Sequence, residues 1–585
     1  MKPLQTLHQW FADRLEATRL HLARPDALLQ LAFMGLVTGL LAGAIIVLFR
    51  FSVEHVQEWL LPGTGPDNFE GLSLAGRLLF PLAGALALAL MFRWFSKGLW
   101  VLGVARVLER MAYHQGRLTV RGFLLQFFGV AIALVSGHSV GREGAHIFLG
   151  ASAGSLLGQK LELPNNAIRT LVGCGTAAGI AASFNTPLAG VIFSLEVIMM
   201  DYHLASFIPV ILAAVSATVV SNAVLGDAAV FSVPPLQLGS LVEMPLVVVL
   251  GLLAGATGAA FVQMVQSIAS RTRDWPIEAQ MVTAGVAVAL LGAGLPQVMG
   301  IGYDTINITL LGGYTAGILL LMAAVKLLAT SVCSALNVPG GMIGPAFFIG
   351  ATLGGGFGHL LDLWFPGLGV QPGVYAMLGM SALMAGSLQA PLAALTALLE
   401  LTDNPQIILP GMLVVVIAGI TASELFRKKS LFLTMLEAKG LDYSQSPVMA
   451  ALRRVGVAGI MDRSFIQAPR LVDREQARTL LGGKPRWILI TEAQEPRAIL
   501  AAVDLAAWLE RHAGPEEEEA AIDLLKIPGH RLQVAPVHLH ETLQEALEAL
   551  QEGRGEALYV RRMTAPGFWR IYGILTREQI ESAYR

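Results

Sequence analysis

Residues 175–196 read GTAAGIAASFNTPLAGVIFSLE, and residues 379–400 read GMSALMAGSLQAPLAALTALLE. At a constant offset of 204, nine of the 22 positions are identical, among them Ser183/Ser387, Pro187/Pro391, Leu188/Leu392, Ala189/Ala393 and Glu196/Glu400. Small-residue bias inflates such a match. A shared Ser-x-x-x-Pro-Leu-Ala with a terminal Leu-Glu is harder to dismiss. A second pair precedes the first in both halves. Residues 141–158, GREGAHIFLGASAGSLLG, agree with 341–358, GMIGPAFFIGATLGGGFG, at seven of 18 positions and an offset of 200. Two blocks in the same order, at nearly the same spacing, predict a duplicated fold.

The blocks sit in an apolar chain. Of 585 residues, 54% are hydrophobic and 14% charged, against roughly 25% charged in a soluble protein. Mean hydropathy is +0.62. This excludes a disordered chain and predicts a multi-pass α-helical membrane protein with a soluble part attached. Runs at 29–50, 206–226 and 245–264 are long enough to cross a bilayer. Runs at 145–158, 168–183, 345–361 and 374–385 are short and interrupted, and predict helices that enter and stop partway. Irregular backbone at that depth must be buried in protein or line a cavity. Duplicated folds with interrupted helices place their substrate near the midplane, between the repeats.

Three regions follow. Residues 1–28 form a mixed-charge leader with Arg14, Arg19 and Arg24 beside Asp13 and Glu16, too long and acidic for a secretory signal. It reads as a cytoplasmic amphipathic segment. Residues 29–440 form the membrane domain, with halves at about 29–226 and 245–425. Arg427, Lys428 and Lys429 put the end of the last apolar run on the cytoplasmic side. Both termini are thus expected to be cytoplasmic, with the chain in the cell (inner) membrane. Residues 447–585 are soluble and themselves doubled, at about 455–512 and 527–584. Each copy pairs a strand-like run (Trp487–Ile490, Ala557–Val560) with a helical one (Leu500–Leu509, Leu543–Leu550), which predicts small α/β modules. The Glu516–Glu519 run reads as a solvated linker.

Other classes are disfavoured. A net charge of −2 gives no footprint for nucleic acid. Cys174 and Cys333 both sit in apolar runs, so no disulfide framework is expected. The 12 histidines form no metal-ligand cluster of the usual spacing. The sequence offers no enzyme nucleophile and no phosphate loop, so no enzyme is expected.

The informative contrast lies inside the repeat. Gly141-Arg142-Glu143-Gly144 aligns with Gly341-Met342-Ile343-Gly344. A carboxylate stands where the duplicate keeps an apolar side chain. An ionisable group at membrane depth costs roughly 2.5–3.5 kcal/mol and marks function by default. Both segments open a glycine-rich helical run. Unpaired N–H groups at such a helix start form an anion site. Glu143 could occupy that site and yield to a permeating anion or to protonation. The alternative is a helix-capping glutamate, or one paired with Arg142. Glu196 and Glu400 share a repeat position, which suggests a common structural role or an aqueous boundary. His138 and His146 flank the motif; they read first as polar residues hydrogen-bonded near helix ends, with a pH role as the alternative.

These segments resemble the CLC family of chloride channels and chloride/proton antiporters over about 30–440, most specifically at Gly141-Arg142-Glu143-Gly144. Further matches are Gly340-Gly341-Met342-Ile343-Gly344-Pro345, Gly300-Ile301-Gly302-Tyr303-Asp304 and Asn185-Thr186-Pro187-Leu188-Ala189-Gly190. The resemblance implies two inverted halves, a homodimer with one pore per subunit, and Glu143 as the gate. It implies anion contacts from Gly141, Arg142, Gly144, Met342, Ile343 and Gly344, with Leu102, Gly103 and Phe432 around the central site. It also implies that 447–585 is a CBS pair, a module that often binds adenine nucleotides. No residue set here commits this pair to a cofactor. Two departures matter. Leu102 and Phe432 stand where the family keeps a serine and a tyrosine hydroxyl, so weaker central binding and altered selectivity are expected. Val197 stands where antiporters carry a proton-delivering glutamate, directly after Glu196. Channel-like or weakly coupled flux of chloride, bicarbonate or nitrate through the bilayer is therefore expected. Proton-coupled exchange by another path is the first alternative. A nucleotide sensor with a nearly silent pore is the second.

Overall fold

The computed structural model describes residues 16, 19–24, 27–63, 67–99, 103–227, 231, 240–441, 447–512, 521–565 and 567–583. Most of the 1–28 leader, Leu102 and the Glu516–Glu519 run lie outside the described residues. The chain divides into two compact units. One comprises Leu31–Gln159 and Arg169–Tyr443; the other comprises Met1–Gln30, Lys160–Ile168 and Ser444–Arg585. The 160–168 turn, expected in the membrane domain, thus groups with the C-terminal part.

The larger unit is helical. Its first half runs through α1 (Leu28–Leu60), α2 (Leu74–Phe95), α3 (Val104–Tyr113), α4 (Val120–Val135), α5 (Glu143–Lys160), α6 (Asn165–Phe184), α7 (Pro187–Phe193) and α8 (Leu204–Leu225). The second runs through α9 (Met244–Arg271), α10 (Ile277–Gly294), α11 (Tyr303–Leu310), α12 (Ala316–Ala335), α13 (Ile343–Trp364), α14 (Pro372–Leu388), α15 (Pro391–Thr402) and α16 (Ile408–Ile420), before α17 (Leu431–Glu437). The halves match helix for helix. Nine helices among the described residues are long and apolar enough to cross a membrane.

Local chemistry sets the matched breaks. Asn185 (φ 56°) and Gln389 (φ 54°) turn left-handed just before α7 and α15. Pro187 and Pro391 then open those helices, where a fixed φ suits the first position and no amide is lost. The halves meet at their glycine loops. Gly141 N–H donates to Gly341 C=O at 2.8 Å, and Gly341 N–H to Gly141 C=O at 2.6 Å. The pair is antiparallel, as an inverted duplication requires. Glycine also lets α5 lie on α6 and α13 on α14. A Cβ on Gly150 would come within 2.1 Å of the Gly175 carbonyl oxygen, and one on Gly350 within 2.3 Å of that of Gly379. Close backbone approach of this kind is how membrane helices gain packing.

The expectation of partway helices needs correction at two places. The runs at 168–183 and 345–361 lie in helices of 20 and 22 residues, α6 and α13. Polar residues extend them, Asn165 and Asn166 at one end and His359 and Asp362 at the other. The apolar windows of α6 and α13 are 89% and 72% buried, against 28% for α2. Their flanks therefore meet protein rather than lipid.

In the other unit, α18 (Pro447–Arg453) and α19 (Val457–Ile460) lead into β1 (Phe465–Pro469), β2 (Leu471–Val472), α20 (Arg474–Gly482), β3 (Trp487–Glu492), β4 (Glu495–Ala501) and α21 (Ala502–Arg511). Next come β5 (Ile522–Asp523), β6 (Arg531–His538), α22 (Leu543–Gln551), β7 (Ala557–Ala565), β8 (Phe568–Thr576) and α23 (Arg577–Ser582). One sheet has the order β1-β3-β4-β6-β7-β8. β1–β3 and β6–β7 are parallel, while β3–β4 and β7–β8 are antiparallel. The doubling is therefore visible strand by strand. Leu500 and Ala501, expected to be helical, end β4 instead, because its register with β3 continues to Ala501 opposite Trp487.

Candidate functional site

Glu143 opens α5 and is fully buried. Its carboxylate reaches into the other half. Gly344 N–H, in the first turn of α13, donates to Oε2 at 3.1 Å. The Tyr303 hydroxyl, at the start of α11, donates to Oε1. Gly141, Gly341 and Gly344 make room for it, since a Cβ on each would stand 2.0, 3.1 and 2.8 Å from a carboxylate oxygen. The N–H groups of Met342 and Ile343 beside it have no hydrogen-bond partner among the described residues. The seat therefore combines orphan amides, a positive helix end and burial, which suits a small anion. The protein's own carboxylate fills it.

Arg142 is turned away from Glu143. Its guanidinium pairs with Glu54 at 3.1 Å, and Glu54 also takes Arg50 at 3.0 Å. The same guanidinium lies 5.2 Å over the Tyr303 ring. Gly144 packs on the opposite loop, where a Cβ would meet Gly340 O at 2.6 Å. Below the seat, Phe432, Met342, Val104, Ala105, Ser334 and Asn337 help to line a cavity. Phe432 stands edge-on to Phe193 at 6.4 Å. Gly103 is near, but its N–H donates to Gln126 Oε1 at 3.2 Å.

Residues 83–423 match the family described as Voltage gated chloride channel. The chain belongs to that family. An H(+)/Cl(-) exchange transporter ClcA of Vibrio cholerae serotype O1 (strain M66-2) is 31% identical over 391 residues, covering 65% of this chain and 83% of that protein. The ClcA of Klebsiella pneumoniae (strain 342) is 30% identical over 442 residues, covering 74% and 93%. The crystal structure of a slow cyanobacterial Cl-/H+ antiporter has the same fold, with a TM-score of 0.63, 22% identity and coverage of 70% of this chain and 97% of that one. A eukaryotic CLC transporter covers 94% of this chain and 98% of its own, with a TM-score of 0.60 and 22% identity.

Within this voltage-gated chloride channel fold, Glu196 and Glu400 have a shared task. Glu196 accepts from Leu392 N–H at 3.1 Å and Ala393 N–H at 2.8 Å, heading α15. Glu400 accepts from Leu188 N–H at 2.9 Å and Ala189 N–H at 2.7 Å, heading α7. Each glutamate caps the helix that corresponds, in the other half, to its own. Both oxygens of Glu196 are thereby engaged, and Val197 beside it is buried. His138 bonds Ser136 Oγ at 2.9 Å, as expected. His146 departs from expectation: it is buried against Phe49, and neither ring nitrogen has a partner among the described residues.

Sequence reasoning quoted Tyr303 but assigned it no contact with Glu143. The 298–302 segment that presents it is pinned from two sides. Asp67 Oδ2 accepts from Ile301 N–H at 3.0 Å and Gly302 N–H at 2.9 Å. Lys326 Nζ donates to Val298 O at 3.0 Å and Gly300 O at 2.8 Å. Tyr303→Phe removes a charge-assisted donor, worth about 1.5–3 kcal/mol. It is expected to raise anion flux from liposomes about tenfold by loosening Glu143. Unchanged flux would show that the hydroxyl does not restrain Glu143 in transport. Burial pushes the Asp67 carboxyl up to about 7. Above that pH its charge holds the two amides; below it the neutral acid is a weaker acceptor and Tyr303 loosens. Flux is expected to rise as pH falls through 7, and Asp67→Asn should abolish this step in a flux–pH profile.

Proposed function

We propose that this protein moves chloride, or another small anion such as bicarbonate or nitrate, with Glu143 as the gate, as a channel or weakly coupled transporter. The observation that carries the reading is the Glu143 carboxylate on Gly344 N–H, a charged competitor seated in an anion position. Weak coupling is supported by apolar Val197 and by the capping duty of Glu196. Proton-coupled exchange is the second reading, favoured by the relatives named as exchangers. Reconstituted liposomes with an imposed anion gradient test both. Anion flux with little proton movement is the expected result, and sustained uphill proton movement would overturn weak coupling.

The proposal extends to a homodimer in the cell (inner) membrane with cytoplasmic termini. Exposed Leu188, Val219, Leu392 and Met412 supply apolar surface on helices of both halves. Residues 447–585 act as a CBS pair, and their strand-by-strand doubling supports that reading. An adenine nucleotide is the ligand class for it. A nearly silent pore serving as a nucleotide sensor would show no robust anion flux in the same liposomes.

A further inference from the structure

The cavity beneath the Glu143 seat poses a problem of hydrogen-bond supply. An anion passing there leaves water and needs donors. Phe432 offers none. Asn337 spends one of its two side-chain N–H donors on Gln280 Oε1 at 2.6 Å. Gly103 N–H is taken by Gln126. Val104, Ala105 and Met342 contribute apolar side chains to the wall.

Ser334 adds a side-chain hydroxyl to this lining. It lies in the last turn of α12, is only 7% exposed, and lines this cavity. A helical serine commonly folds its hydroxyl back onto the carbonyl four residues earlier. Ser136 does so onto Ile132 O at 2.6 Å, and Ser387 onto Leu383 O at 2.7 Å. The Ser334 hydroxyl makes no such bond and has no partner among the described residues. The carbonyls of the last turn of α12 are met by backbone N–H groups. Val332, Cys333 and Ser334 accept from Leu336, Val338 and Asn337 N–H respectively. The hydroxyl is thus a donor left over from the fold, on a buried residue that lines the cavity together with Met342.

We infer that Ser334 is a specificity-determining residue of the anion path: its hydroxyl donates to the anion in this cavity. α12 would then supply the side-chain hydroxyl that Phe432 cannot. The inference rests on the anion route proposed above.

The test uses the full chain in liposomes and reads chloride flux against chloride concentration. Ser334→Ala is expected to raise the half-saturating chloride about tenfold or more, the equivalent of one hydrogen bond to a charged group at about 1.5–3 kcal/mol. Ser334→Thr should stay within about twofold of wild type. Ser334→Cys, nearly isosteric with a weak donor, should fall between and carries the same readout if the alanine variant does not fold. Unchanged half-saturation in the variants that fold overturns the inference, as does a uniform fall in maximal flux without a shift in half-saturation. Glu143→Gln run alongside separates the two ideas. If it raises flux while the Ser334 variants match wild type, Ser334 alone is misassigned. If neither residue alters flux, the route itself is wrong.

Discussion

Glu143→Gln and Glu143→Ala are expected to raise anion flux by about tenfold or more and to flatten its pH dependence. The wild-type carboxylate holds its seat through Gly344 N–H and the Tyr303 hydroxyl. Charge-assisted bonds of this type are worth about 1.5–3 kcal/mol, and each 1.4 kcal/mol is about a factor of ten in occupancy. On the proposed gating, a permeating anion must displace that competitor. Alanine removes it, and glutamine removes its charge. Efflux from chloride-loaded liposomes at several pH values is the measurement. Wild-type flux and pH response in both variants would count decisively against the gate.

The second large effect concerns stability. Glu196→Ala and Glu400→Ala each leave two N–H groups uncapped at a helix start. Each is expected to cost about 2 kcal/mol, seen as a lower unfolding temperature in detergent. Each glutamate sits on the segment that the other caps, so the double variant should depart from the sum of the two losses. The ratio of protons to anions moved should stay at the wild-type value in Glu196→Ala. A changed ratio at unchanged stability would make Glu196 a proton carrier instead of a cap.

Much of this architecture was legible in the residue pattern. The two repeat blocks and their offsets locate Gly141 and Gly341, which then bond to each other. The contrast of Glu143 with Ile343 singles out the carboxylate. What stayed hidden depends on relative orientation. Equal repeat positions for Glu196 and Glu400 do not reveal that each reaches the other's helix; only inverted halves bring them there. Tyr303 lies 160 residues from Glu143, and a tyrosine in an apolar neighbourhood gives no sign of where its hydroxyl points. Arg142 was a natural partner for Glu143 by adjacency, yet Glu54 on α1 holds it. Gly103 was expected among the anion contacts, yet its amide goes to Gln126, which no local pattern announces. Leu500 and Ala501 were misread because an apolar strand end and the first turn of a helix share composition.

The exchanged caps also make the two halves mutually dependent. A single half, made alone, would present the first amides of α7 to its surroundings with no carboxylate to meet them, while its own glutamate had nothing to bind. A second copy inserted upside down would satisfy both at once. Each half therefore depends on the other for the cap of one helix. Co-expression of the two halves as separate polypeptides should therefore rescue what neither achieves singly.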